Sequence, residues 1–189
     1  MNRVLLLIIV FTLSACAIQS PQTSISTTAD WQAYQLRVSQ LNDWRLSGKL
    51  GFRGPDNGGS ASVNWQQRQE KFQLQLTGPF GAGSALIEGD QYLASLHQGD
   101  QTYSNAPELL AQQLTGLAIP VDALSWWARG LPSPAETGVN NLVQGPTGVA
   151  ASFEQAGWQL SFSNYRRKNG RNLPAKITGE FGEQSFKLI

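Results

Sequence analysis

The sequence predicts a mainly β domain in which a twisted antiparallel sheet curls around helices. Three observations carry this. Apolar and polar residues alternate across Ala61, Val63 and Trp65, and again across Phe72, Leu74 and Leu76. That period of two marks half-buried strands joined in a meander. Two short helical stretches follow near the middle of the chain. Strand patterns then return at Leu142–Val143, Val149–Phe153, Trp158/Leu160/Phe162 and Phe186/Leu188. The order helix, meander, helix pair, meander fits a sheet that wraps helices.

Taken from the N-terminus, residues 1–15 read as a signal peptide. Arg3 gives a positive start, and Val4 to Leu13 is apolar except for Thr12. A membrane-spanning helix needs roughly 20 apolar residues, so this run is too short to span but long enough for a signal core. Leu13-Ser14-Ala15-Cys16 follows and resembles the lipobox of bacterial lipoproteins, in which the cysteine becomes the first mature residue and carries acyl chains. The other reading is an ordinary signal peptide with a chance cysteine. Cys16 is the only cysteine in the chain, so it has no internal disulfide partner and lipid is the better use for it. One acyl chain anchors marginally and two or more anchor stably. Ala17 rather than Asp follows the cysteine, which by resemblance to enterobacterial sorting rules favours the outer membrane.

Residues 16–29 read as the lipidated N-terminus and a flexible, Ser/Thr/Gln-rich tether. Residues 30–189 then form one domain. Asp30 is the expected N-cap of a helix reaching about Asn42, with Trp31, Tyr34, Val38 and Leu41 on one face. A strand carrying Leu46, Gly48, Leu50 and Phe52 leads to the turn cluster Gly54–Gly59. Gly78–Gly83 connects to a strand near Ser84–Glu88, and Gly89-Asp90 turns into a strand over Tyr92–His97. Ser104 or Asn105 caps the next helix, which holds Pro107 in its first turn and stops at Gly116. Pro120 opens another, with Val121, Leu124 and Trp127 on one face. It ends at Gly130, and Leu131-Pro132-Ser133-Pro134 cannot extend it. Ile177 with Phe181 adds a weaker strand signal, interrupted by Gly179.

Composition narrows the function. Lys and Arg number 14 against 13 Asp and Glu, and cleavage removes Arg3, so the mature chain is near neutral. It has no basic footprint for nucleic acid. Charged residues are 14 % of the chain, against about 25 % in typical domains. A single histidine, His97, supports no catalytic triad, and without a second Cys or His no zinc site is expected. Gly81-Ala82-Gly83 lacks the third glycine of a dinucleotide loop and precedes a strand, not a helix. No carboxylate pair stands out. The chain therefore reads as a non-enzyme without catalytic residues, metal or cofactor beyond the lipid on Cys16.

Apolar surface is what remains. The six tryptophans and seven phenylalanines of the mature chain either fill a sheet core or line a hollow between sheet and helices. Thr77-Gly78-Pro79-Phe80-Gly81 sets a large aromatic in a turn, where polar residues are usual. Phe80 either folds back on the core or forms an exposed apolar tip. Lys49, Arg53, Arg68 and the run Arg166-Arg167-Lys168 are either a solvated loop or a docking face.

The mature chain resembles the LolB family. The matching pieces are Leu13–Cys16, Trp44-Arg45-Leu46-Ser47-Gly48-Lys49-Leu50, Asn64-Trp65-Gln66-Gln67, Thr77–Gly81 and Ile119-Pro120-Val121 with Leu124 and Trp127. Gly130-Leu131-Pro132, Gly157-Trp158 and Leu173-Pro174 complete them. The resemblance implies an unclosed antiparallel β-barrel with a helical lid over a hydrophobic cavity. It implies an outer-membrane receptor that accepts lipoproteins from a periplasmic LolA-type carrier and inserts them into the inner leaflet, without nucleotide hydrolysis. Its partners would be that carrier, the acyl chains of client lipoproteins and outer-membrane lipid, with the protein itself a monomer. Phe80, with Pro79 and Gly81, sits where the family has a protruding apolar residue, often Leu, that promotes insertion. The acyl-chain cavity candidates are Val63, Trp65, Leu74, Leu76, Leu86, Trp127 and Trp158. The competing function is a lipid-binding or scaffolding envelope lipoprotein that does not transfer clients.

Overall fold

The computed structural model describes residues 28–189 apart from Ala82, with the side chains of Ala29 and Phe80 also left aside. The expected signal peptide, Cys16 and the tether as far as residue 27 lie outside the described residues.

Helix α1 (Thr28–Ser39) starts two residues before the expected cap, so Asp30 lies in its first turn. A negative charge there is favoured by the helix dipole. Trp31, Tyr34 and Val38 form the buried face. The helix stops at Ser39, and Leu41 follows it in a turn, its amide bonded to the Val38 carbonyl at 3.0 Å.

The first meander is β1 (Asp43–Arg53), β2 (Gly58–Arg68), β3 (Lys71–Thr77), β4 (Ser84–Gly89), β5 (Ala94–Gln98) and β6 (Gln101–Asn105). The lid follows as α2 (Pro107–Thr115) and α3 (Val121–Trp127). The second meander holds β7 (Asn140–Gln144), β8 (Ala150–Gln155), β9 (Trp158–Ser163), β10 (Arg166–Lys168), β11 (Arg171–Leu173), β12 (Lys176–Phe181) and β13 (Gln184–Leu188). Eleven strands form one antiparallel sheet in the order β6-β5-β4-β3-β2-β1-β13-β12-β9-β8-β7, and β10 and β11 form a separate hairpin. The sheet ends at β6 and β7 without joining, so the barrel is open.

Three expectations are corrected. Strand β6 replaces the expected helix cap: Ser104 and Asn105 are in that strand, and Ala106 caps α2 with no side-chain bond. All five residues of β6 are exposed, so no alternation betrays it. Strand β5 begins at Ala94, not Tyr92. Asp90 Oδ1 accepts the amides of Tyr92 (2.9 Å) and Leu93 (3.1 Å), which holds both in the preceding turn. The basic run Arg166–Lys168 is itself a strand, paired with Arg171–Leu173.

Two glycines are set by close approach. A Cβ on Gly48 would lie 2.0 Å from the Ile189 carbonyl oxygen, where Ile189 lies alongside β1. A Cβ on Gly179 would lie 2.2 Å from the Phe186 ring, which packs against β12 there. Gly179 therefore belongs to a regular strand in register with β9 and β13. A continuous core runs through both meanders, including Val63, Trp65, Phe153, Trp158, Leu160 and Ile177.

Candidate functional site

Strands β2, β3 and β4 build one wall of an apolar hollow. Val63 pairs with Leu76, Trp65 with Leu74, and Leu74 with Ile87, so all five point to the concave face. The roof is helical. Pro107, Ala111, Leu114 and Thr115 fall on one face of α2, and Val121 and Leu124 on one face of α3. Leu50, Phe186 and Leu188 close the far side. The lining carries almost no polar surface.

The hollow measures only about 60 Å³, far below the roughly 300–1,000 Å³ of ligand pockets. The lid is shut on the sheet. How it is held differs along its length. The α2–α3 linker is pinned: Trp158 Nε1 donates to the Ala118 carbonyl at 3.3 Å, and the Ala118 amide donates to Gln184 Oε1 at 2.8 Å. The end of α3 is pinned through Trp127 Nε1, which donates to Gln155 Oε1 at 2.9 Å. By contrast, the side-chain hydrogen bond within α2, from Thr115 to the Ala111 carbonyl, stays inside the helix. Helix α2 meets the sheet through apolar contact, which is non-directional and leaves no polar group stranded when it slides.

The cavity candidates are thus divided. Val63, Trp65, Leu74 and Leu76 line the hollow. Leu86 does not, because it pairs with Gln75 and His97 on the opposite face of β4, and Ile87 takes the inward place. Trp127 and Trp158 do not line it either. Both are fully buried, one bonded to Gln155 and the other packed against Phe181 and Phe186. Phe72, Ile87 and the α2 face went unassigned in the sequence. Inward alternation singles out Phe72 but not its neighbour across the hollow.

A larger, mixed hollow of about 490 Å³ adjoins the apolar one and shares Trp65, Phe72, Pro107 and Val121 with it. Its walls add Trp44, Trp126, Asp122 and Arg129. Arg129 is 6 % exposed. Its Nε donates to the Ser125 carbonyl at 3.1 Å and one terminal nitrogen to the Leu41 carbonyl at 3.0 Å, with the guanidinium 4.3 Å above the Trp126 ring. Burial lowers its pKa to about 10. Burial also raises Asp122, partly offset by Arg129. Tyr34 donates to the Arg129 carbonyl at 2.7 Å, and burial holds its phenol well above the ordinary range.

The Pro79–Phe80–Gly81 segment forms one 3₁₀ turn between β3 and β4. Pro79 and Gly81 are exposed. Gly81 (φ +78°) and Gly83 (φ +70°) take left-handed backbone that other residues rarely adopt. The turn follows β3 directly after Leu76 and Thr77, so it sits at the Leu76 end of the hollow, and the mixed hollow with Gln69 and Gln91 sits at the other end. Of the basic candidates, Arg53 and Arg68 lie at opposite ends of the β1–β2 hairpin, Lys49 in the middle of β1 and Arg166–Lys168 on a separate hairpin. They do not form one surface. His97 Nδ1 lies 3.1 Å from Thr102 Oγ1, and Nε2 lies 3.4 Å from Glu88 Oε1, on the exposed face. Among the described residues no three His, Cys, Asp or Glu side chains are placed to hold a metal, and no helix is long and apolar enough to cross a membrane.

An open antiparallel sheet closed by helices over an apolar hollow defines a half-barrel of the LolA-like fold. A LolA superfamily protein from Nitrosomonas europaea, seen in its crystal structure, superposes with a TM-score of 0.56 at 10 % identity, covering 87 % of this chain and 90 % of that one. The family model described as outer membrane lipoprotein LolB matches residues 42–189. The outer-membrane lipoprotein LolB of Chromohalobacter salexigens is 32 % identical over 185 residues, 97 % of this chain and 86 % of that protein. The LolB of Cellvibrio japonicus is 32 % identical over 195 residues, 100 % of this chain and 96 % of that protein. The chain belongs to the LolB family: it is an outer-membrane lipoprotein receptor, not an enzyme.

Proposed function

We propose that the hollow under α2 and α3 receives the acyl chains of client lipoproteins from a LolA-type periplasmic carrier and passes them to the inner leaflet of the outer membrane. The observation that carries this is the apolar lining of both sheet and lid, with α2 facing the sheet through Pro107, Ala111 and Leu114. Exposing a chain of about 14 methylenes to water costs about 11 kcal/mol, so a client cannot cross the periplasm bare. Lifting α2 opens the space between Leu74 or Leu76 and Leu114, and a tail then replaces contacts the lid loses. Apolar walls shelter a tail without chemical specificity, so transfer runs downhill from carrier to receptor to bilayer and needs no nucleotide. Cys16 carries the lipid that holds the receptor at its membrane. The turn at Pro79-Phe80-Gly81 is the insertion tip, which disturbs the leaflet beside the Leu76 end of the hollow.

The test is a transfer assay with carrier loaded with a radiolabelled lipoprotein, the purified full chain, and outer-membrane vesicles. Label should move to the vesicles without added nucleotide. Label that stays on the carrier would overturn the reading. Label that stops on this protein would instead mark a lipid-binding lipoprotein that does not hand clients on.

A further inference from the structure

A third hollow lies on the other side of Arg129, beside the first half of β1. Ile189 follows β13, and its amide and carbonyl bond with those of Lys49 at 2.9 and 2.8 Å. The first half of β1 is paired with β2. The hollow is a groove of about 480 Å³ bounded by Trp44–Ser47, Ala128 and Arg129, and the β10–β11 hairpin. This volume falls within the roughly 300–1,000 Å³ of small-molecule sites. It shares Leu41, Trp44 and Arg129 with the mixed hollow, but its other walls are different.

The walls are of two kinds. Leu46, Leu173, Ile177 and Leu188 supply apolar surface. Arg45, Arg129, Arg166 and Lys168 supply four cations, and no Asp or Glu side chain lines the groove. Arg166 and Lys168 are alternate residues of β10 and project to the same side. The close His97–Glu88 ion pair, at 3.4 Å, lies elsewhere and involves none of the four. Three of them, Arg45, Arg166 and Lys168, are exposed, whereas Arg129 is buried at the inner end. Like charges gathered around a concave surface with apolar walls focus a positive potential into it. Guanidinium groups suit phosphate because they offer paired, planar donors.

We propose that this groove is a second lipid site, distinct from the acyl hollow, that takes the phosphate headgroup and upper acyl segment of an anionic glycerophospholipid. The cations take the phosphate and the Leu46–Ile177–Leu188 wall takes the first methylenes. Both wall types are then used, which an inorganic anion would not do. The receptor then holds a molecule of its host leaflet while it discharges its client at the other hollow.

The experiment uses the purified full chain in neutral detergent and native mass spectrometry. The probes are dihexanoyl phosphatidylglycerol, dihexanoyl phosphatidylcholine, inorganic phosphate and an Asp/Glu-rich peptide. Phosphatidylglycerol should bind about tenfold tighter than phosphatidylcholine or free phosphate, and the triple variant R45Q/R166Q/K168Q should lose about tenfold or more of that affinity. All three substituted residues are exposed, and an unchanged melting temperature of the variant checks its fold. Added salt should weaken phosphatidylglycerol binding to the unaltered protein, which tests the charges without any substitution. Equal binding of the two lipids, undiminished binding by the triple variant, free phosphate as tight as the lipid, or capture of the acidic peptide alone would each overturn the proposal.

Discussion

The indole nitrogen of Trp127 donates across 2.9 Å to the side-chain oxygen of Gln155, joining the end of the lid to strand β8. The same amide accepts the Ser133 amide and donates to the Ser133 carbonyl, each at 2.8 Å. Gln155 is 2 % exposed, so one buried side chain satisfies three groups that water cannot reach. Replacing Gln155 by Leu strands the Trp127 N–H and both polar groups of Ser133. Unpaired buried groups cost about 1–3 kcal/mol each, so the variant should lose about 3 kcal/mol or more in urea denaturation. An unfolding midpoint equal to that of the unaltered protein would show that the knot is dispensable.

The two faces of α2 should respond differently to charge. Leu114 lines the hollow, and Leu109 is 51 % exposed on the outer side. Leu114→Asp places a carboxylate against apolar walls, a burial of charge that strongly opposes tail entry. Affinity for a fluorescent fatty-acyl probe should fall about tenfold or more. Leu109→Asp should leave it unchanged. Similar losses in both variants would mean that the probe binds outside the hollow.

Phe80→Glu should accept client from the carrier yet deposit it poorly in vesicles, because a carboxylate resists entry into the leaflet. Phe80→Leu should keep deposition, since its role needs only an apolar side chain. Radiolabel partition between receptor and vesicles separates the two steps. Normal deposition by the Glu variant at normal protein levels would remove the tip from the mechanism.

Acid should loosen the β4–β5 turn. Asp90 is held below the ordinary carboxylate range by the Tyr92 and Leu93 amides that bond it. Its folded pKa is thus lower than its unfolded one. The turn's stabilisation is full above the unfolded value and is lost as pH falls through the folded one. Carbon NMR of the Asp90 carboxyl should give a titration midpoint below that of the urea-unfolded chain. In Asp90→Asn the acid-dependent change at the Tyr92 and Leu93 amides should vanish.

Where burial followed a clean period, the fold was legible. Val63, Trp65, Leu74 and Leu76 declared both their strands and their inward face, and Pro107 and Gly116 framed α2. The failures have physical causes. Strand β6 is an exposed edge, so nothing in its composition had to alternate. Gly179 weakened a strand signal because the Phe186 ring occupies the room of its missing side chain, a contact from another strand. Leu86 and Ile87 are adjacent aliphatics, and only pairing with β3 decides which one points inward. Trp127 and Trp158 carry the size and polarity of lining residues, but their N–H groups found partners at Gln155 and Ala118 that lie far away along the chain. Arg129 gave no local sign of its position between two hollows.

The two meanders touch within the sheet at one seam, where Leu50 faces Leu188 and Phe52 faces Phe186. The partner of β1 is therefore β13, which follows twelve other strands along the chain. A polypeptide threaded into the periplasm N-terminus first can assemble its leading hairpins but must wait for β13 before the interior is sealed. Pairing between distant segments is slow, and an unmatched edge invites association with other chains. The interval before closure is thus when a nascent receptor is most in need of a holding chaperone, and a change that keeps β13 from pairing with β1 would prolong that interval.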